Sequence, residues 1–142
     1  HGLAALRLGC CVSNPELSDY LNRVRQPFNA NSLALDLGKV ALSDQEHISK
    51  SVKINSSGME RVKKAFANLD YNFIESWGNF ISFDAKQDSD AAFQYFLEKG
   101  VILRSLKVYE MPHHLRVSIG TEEEMDFFLQ VLEDYEKDLS KK

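Results

Sequence analysis

The sequence predicts an α+β fold in which helices cover one face of a small sheet. Apolar residues recur at helical spacing through much of the first half of the chain, whereas the second half contains short apolar runs typical of strands. The predicted order is a strand, several helices and then strand–helix–strand–strand–helix, which is typical of the α+β class. Hydrophobic residues make up 44% of the 142 residues, which is enough for a substantial core.

The first predicted element is a buried strand at residues 8–12. This segment contains the adjacent thiols of Cys10 and Cys11, and free cysteines are usually buried. Neighbours in a strand point to opposite faces, so these two thiols cannot easily form a disulfide with each other. The cysteines therefore predict no disulfide framework, and a cytoplasmic location is expected.

Three helices are predicted to follow this strand. Asn14 and Pro15 match a helix N-terminus. Ser43 and Glu46 match a capping box before the third helix, whose apolar face is interrupted by Gly58 at a cost of about 1 kcal/mol relative to alanine. The apolar positions that mark the three helices are Leu17, Leu21 and Val24, then Leu33, Leu37 and Val40, then Ile48, Val52, Met59, Val62 and Phe66.

The second half of the chain is predicted to alternate short strands with two helices. Asp88 or Ser89 can cap the first of these helices, and Gly100 would end it. Thr121 and Glu124 match a capping box at the start of the last helix. The predicted strands are residues 73–74, 79–83, 101–104 and 115–119.

Charge and hydropathy exclude several classes of partner. The net charge of −4 argues against nucleic-acid binding, which normally needs a basic surface. No apolar run approaches the roughly 20 residues that span a bilayer, so no membrane partner is expected. The neighbours His113 and His114 cannot both face one metal ion in a strand, and no metal site is predicted.

Three arginines stand out as candidate site residues. Arg7, Arg104 and Arg116 each lie within or at the end of an apolar, strand-like segment. Arginine is rarely buried without a partner, so each of them predicts a nearby anion, either a structural carboxylate or a ligand. Strand alternation places Arg116 on the face opposite Leu115 and Val117.

Four segments of the chain resemble fold-type-I pyridoxal-phosphate aminotransferases, in particular the histidinol-phosphate aminotransferase branch. They are residues 2–9, 22–31, 100–104 and 115–121. The resemblance implies a C-terminal fragment that begins just after the cofactor lysine. Residues 1–35 would be a remnant of the cofactor-binding large domain with an interdomain helix, and residues 36–142 would be the C-terminal small domain.

The same resemblance implies roles for the three arginines. Arg7 matches the residue that holds the cofactor phosphate. Arg116 matches the residue that clamps a substrate anion, and Arg104 matches a second cationic position in the substrate pocket. The cofactor lysine would lie two residues before His1, so no residue of this chain is expected to be catalytic and the chain alone is expected to be inactive.

The resemblance implies that the parent enzyme is a cytoplasmic homodimer of histidine biosynthesis. It would transfer an amino group between histidinol phosphate and 2-oxoglutarate through pyridoxal 5'-phosphate. Two alternatives stay open: a lyase similar to the phosphothreonine decarboxylases of cobalamin synthesis, and a non-catalytic, stand-alone module. Residues 107–112 depart from the family pattern near the substrate pocket, which leaves the substrate choice open as well.

Overall fold

The computed structural model describes residues 1–141 and contains two compact units. The first unit is His1–Lys50, and the second begins at Ser51. The predicted division between residues 1–35 and 36–142 concerns the domains of a longer protein and stays a prediction. No helix within residues 1–141 is both long enough and apolar enough to cross a membrane.

The first unit is helical, as predicted. Helix α1 is Pro15–Val24, and the Asn14 side chain accepts a hydrogen bond of 2.8 Å from the backbone N–H of Leu17. Helix α2 is Ser32–Ser43, and Asn31 caps it in the same way. Helix α3, Gln45–Asn68, begins in this unit. The predicted N-terminus at Asn14 and Pro15 is therefore confirmed.

The predicted strand at residues 8–12 is wrong. These residues have no regular secondary structure, and both Cys10 and Cys11 are exposed rather than buried. A buried strand needs a hydrogen-bonded partner on each side, and none of the strands within residues 1–141 pairs with this segment. Ala4–Leu6, just before it, forms a single 3₁₀ turn instead of a strand.

The predicted capping box at Ser43 is also wrong. The Ser43 hydroxyl donates a hydrogen bond of 2.8 Å to the carbonyl of Val40, within α2. Asp44 caps α3, because its carboxylate accepts a hydrogen bond of 3.0 Å from the N–H of His47. Ser43 still has helical neighbours, so its hydroxyl bonds back into the preceding turn.

The second unit contains a four-stranded sheet with the order β1-β2-β4-β3, in which every neighbouring pair is antiparallel. The strands are β1 (Phe73–Ile74), β2 (Phe80–Asp84), β3 (Arg104–Ser105) and β4 (His114–Ser118). Helix α4 is Ser89–Glu98 and helix α5 is Glu122–Leu139. The predicted fold class is confirmed, as is the capping box of Thr121 and Glu124 on α5.

The core lies between one face of this sheet and the helices. Phe66 of α3 is fully buried, and its ring lies 4.7 Å from that of Phe83 and 6.4 Å from that of Phe128. Such aromatic contacts stabilise a core beyond the area they bury. The sheet contributes Ile81, Phe83, Leu115 and Val117, and the helices contribute Met59, Val62, Phe66, Phe96, Met125, Phe128, Leu132 and Tyr135.

The predicted strand at residues 101–104 is reduced to Arg104–Ser105. Helix α4 ends at Glu98, and Gly100, just beyond the C-cap Lys99, has a φ of +86°, the left-handed conformation that glycine adopts easily. The N–H of Val101 then bonds back to the carbonyl of Phe96 at 2.9 Å, and the N–H of Gly100 bonds to that of Leu97 at 3.0 Å. This is a Schellman motif. It uses the N–H of Val101 that a longer strand would need, so the strand begins later.

Gly58 has a packing role that the sequence did not show. It is buried on α3, and a Cβ added there would lie 2.6 Å from Cγ2 of Ile119, just after β4. Real Cβ atoms do not approach other atoms that closely. The absence of a side chain therefore allows α3 to lie directly against the end of β4.

Candidate anion-binding site

The candidate site is on the face of the sheet that points away from the core. Strand register places Ser82 of β2 opposite Arg116 of β4, and places Arg116 opposite Arg104 of β3. Residues directly opposite each other in a sheet share a face. The predicted alternation of Arg116 with buried Leu115 and Val117 is confirmed by the burial of these two neighbours.

Arg104 and Arg116 form a like-charged pair without a neutralising acid. Neither guanidinium takes part in a salt bridge within residues 1–141. Like charges directly opposite each other destabilise a sheet. A structural carboxylate, which the sequence left open as a partner, is therefore not the partner of either arginine in this unit.

Aromatic rings lie beside both guanidinium groups instead. Cζ of Arg116 lies 4.7 Å from the ring centroid of Phe80, and Nε of Arg116 is buried without a hydrogen-bond partner. Arg104 donates a hydrogen bond of 3.2 Å from Nη2 to the hydroxyl of Tyr109, and its Cζ lies 5.9 Å from the centroid of that ring. Both guanidinium groups thus keep their full charge and several free donors.

The turn that carries Tyr109 is anchored to the start of α4. Lys107 donates hydrogen bonds from Nζ to the carboxylates of Asp90 at 2.7 Å and Asp88 at 3.3 Å. The hydrogen bond from Lys107 also holds the pKa of Asp88 below its usual range. The turn Lys107–Tyr109 is therefore tied to a helix terminus close to the short strand of Arg104.

Arg7 lies in the first unit and is exposed. Its backbone has a φ of 55°, and it follows a 3₁₀ turn rather than a strand, contrary to prediction. Its Nη1 donates a hydrogen bond of 3.0 Å to the carbonyl of Ala4. The guanidinium has further donors that can face a phosphate.

The two histidines lie at the start of β4. His113 has Nδ1 at 3.1 Å from the carbonyl of Gln87, and His114 lies opposite Asp84 in the sheet. Within residues 1–141, no group of three His, Cys, Asp or Glu residues is placed to hold a metal ion.

Phe80 and Tyr109 are neighbours of the candidate site that the sequence analysis did not single out. Phe80 shares a face with Ser82 by alternation, but its contact with Arg116 depends on the pairing of β2 with β4. Residues on a diagonal across two strands can touch when one side chain is aromatic and the other is long. Identifying this contact requires the strand register, which a single sequence does not specify.

Comparison with known proteins gives consistent matches. Residues 1–132 match the model of the family described as aminotransferase class I and II. Histidinol-phosphate aminotransferase 1 of Nitrosococcus oceani is 47% identical over 133 residues, which are 94% of this chain and 36% of that protein. Histidinol-phosphate aminotransferase 2 of Pseudomonas fluorescens is 48% identical over 132 residues, which are 93% of this chain and 36% of that protein.

A solved structure shows the same fold. The histidinol-phosphate aminotransferase of Sinorhizobium meliloti, in complex with pyridoxal-5'-phosphate, superposes with a TM-score of 0.80 at 22% identity. The match covers 97% of this chain and 39% of that one. The chain thus spans little more than a third of the length of the proteins that it resembles.

Proposed function

Because this chain belongs to the aminotransferase class I and II family, we propose that it is part of a histidinol-phosphate aminotransferase. The whole enzyme would transfer an amino group between histidinol phosphate and 2-oxoglutarate in histidine biosynthesis, as a cytoplasmic homodimer. The names of relatives that are 47% and 48% identical over almost all of this chain support the proposal.

The pair of Arg104 and Arg116 is the observation that carries this function. Two cross-strand guanidinium groups without a carboxylate partner form a site suited to an anion. Histidinol phosphate carries a phosphate and 2-oxoglutarate carries carboxylates, so both substrates could use the same pair in turn. Arg116 would bind the anion of either substrate, and Arg104 would add a second charge for the phosphate.

Arg7 fits one part of the cofactor site. Its exposed guanidinium is held at one nitrogen by its own turn, and the other donors can bind the phosphate of pyridoxal 5'-phosphate. The bound cofactor supplies the electron sink for transamination. This chain would supply charge and orientation only, with the cofactor lysine elsewhere in the enzyme, so the chain alone is expected to be inactive.

The proposal can be tested by measuring the two half-reactions separately in the whole enzyme, following the cofactor spectrum. Arg116→Lys keeps the charge but loses the planar two-point contact, and should lower kcat/KM about 10-fold with both substrates. Arg104→Ala should reduce the reaction with histidinol phosphate more than the reaction with 2-oxoglutarate. If Arg116→Lys changes neither half-reaction, this pair is not the substrate anion site.

Arg61→Lys is the matched control. Arg61 belongs to the same unit but forms salt bridges with Glu122 and Asp126, so its charge is already neutralised. The exchange should leave both half-reactions unchanged. An equal loss in Arg61→Lys and Arg116→Lys would indicate a general effect on folding and contradict the proposed role.

A further inference from the structure

The side chains beside the two guanidinium groups explain how both arginines can be held in place and still remain positively charged. A carboxylate is the usual partner of an arginine in a protein, and it would hold the side chain in place while neutralising it. Phe80 and Tyr109 occupy the corresponding positions beside Arg116 and Arg104. An aromatic face attracts a guanidinium through its quadrupole and carries no net charge.

We infer that Phe80 and Tyr109 are positioning residues that hold Arg116 and Arg104 in place without neutralising them. The site then keeps two full positive charges and prefers a phosphate dianion to a singly charged carboxylate. This inference rests on the proposed function, because it assumes that the pair binds the substrate phosphate. It adds the residues that set the preference between the two kinds of anion.

The geometry around Phe80 supports a positioning role. Phe80 lies opposite Ser118, on the diagonal from Arg116, and its ring lies 4.7 Å from Cζ of that arginine. Nε of Arg116 is shielded from solvent and has no acceptor, so the ring contact is the interaction that orients this part of the side chain. Phe80 itself is 37% exposed, and its substitution does not open the core.

Tyr109 plays the equivalent part for Arg104 through two contacts. Its hydroxyl accepts the hydrogen bond from Nη2, and its ring lies beside the guanidinium. The ion pairs of Lys107 with Asp88 and Asp90 fix the turn that carries it. The carboxylates of Asp88 and Asp90 are therefore paired with Lys107 rather than with Arg104.

The test uses the full 142-residue chain, inorganic phosphate and acetate. The Nε–Hε signal of Arg116 in ¹H–¹⁵N spectra reports both binding and the position of the ring. In the unmodified chain, phosphate should shift this signal in a saturable way and bind more tightly than acetate. Phe80→Leu should move the signal of the free chain, because the ring is lost, and should weaken phosphate binding about two- to five-fold. Phe80→Trp keeps an aromatic ring at this position and should bind phosphate as tightly as the unmodified chain does.

A second pair of variants tests the charge. Phe80→Glu places a carboxylate beside Arg116 and should abolish the preference for phosphate over acetate, whereas Phe80→Gln, of the same shape, should keep it. Phe127→Leu is the control, since Phe127 is a half-exposed ring that lies beside Gly100. It should leave both affinities unchanged.

The outcomes separate this inference from the proposed function. If phosphate does not shift the Arg116 signal of the unmodified chain at all, the proposed anion site is wrong. If phosphate binds but Phe80→Leu changes neither the free signal nor the affinity, the anion site stands and the positioning role is overturned. Equal preferences in Phe80→Glu and Phe80→Gln would overturn the argument from charge.

Discussion

Substitution of Gly58 by alanine tests whether the close approach of α3 to the end of β4 leaves no room for a side chain at position 58. Alanine is favoured over glycine inside a helix by about 1 kcal/mol. The added Cβ would lie 2.6 Å from Cγ2 of Ile119, however, and this methyl group is attached to a stiff, β-branched side chain. Overpacking of this kind costs about 1–3 kcal/mol. We therefore expect Gly58→Ala to lower the free energy of unfolding by about 0–2 kcal/mol.

The same clash predicts a change of sign when Ile119 is truncated. Ile119→Ala removes Cγ2, so the helix preference of alanine at position 58 is no longer opposed. In that background, Gly58→Ala should raise the free energy of unfolding by up to about 1 kcal/mol. The measurement is urea unfolding of the chain, the two single variants and the double variant, read as a double-mutant cycle. Stabilisation by Gly58→Ala in both backgrounds would refute the steric argument.

Three further predictions concern charge and the cofactor. Arg104→Gln removes the charge opposite Arg116 and should raise the free energy of unfolding, measured by urea unfolding, by about 0.2–1 kcal/mol at low salt and by less at high salt. Tyr109→Phe is the control, because it removes only the hydrogen bond to Arg104 and should not stabilise the chain. Burial raises the pKa of Tyr135 to about 12, above its unfolded value near 10. The protonated phenol therefore contributes about 2–3 kcal/mol to the free energy of unfolding below pH 10, and this contribution is lost between pH 10 and 12. In urea titrations over that pH range, the Tyr135→Phe variant should lose less stability than the unmodified chain. In the whole enzyme, Arg7→Ala should weaken cofactor retention by about 1.5–3 kcal/mol, and equal cofactor content after dialysis of mutant and wild type would show that Arg7 is structural.

Local signals in the sequence predicted the elements that depend on neighbouring residues. The cap at Asn14, the capping box at Thr121 and the termination of α4 by the motif around Gly100 each involve contacts over a few residues, and all are found in the structure. The predicted strand at residues 8–12 is wrong because a strand depends on hydrogen-bonded partners far along the chain, which local sequence does not reveal. The predicted cap at Ser43 is wrong because two adjacent residues could both cap α3, and Asp44 is the one that does so.

The candidate site was predictable to the same extent. Alternation placed Arg116 on the face away from the core, and the structure agrees. That Arg104 lies directly opposite Arg116 follows from strand register, which a single sequence does not specify. The contact of Phe80 with Arg116 depends on the same register, so the aromatic support of the site could be found only from the fold.

The two-residue strand β3 also affects how the sheet meets other chains. Both outer strands, β1 and β3, contain only two residues. For β3 the reason is the Schellman motif after α4, which delays the start of the strand. An outer strand this short offers few free backbone groups to a strand from another molecule, and charge on such a strand discourages pairing further. We therefore expect Arg104 to have a second effect, besides its proposed role at the anion site: its charge would protect the rim of the sheet against strand-mediated aggregation.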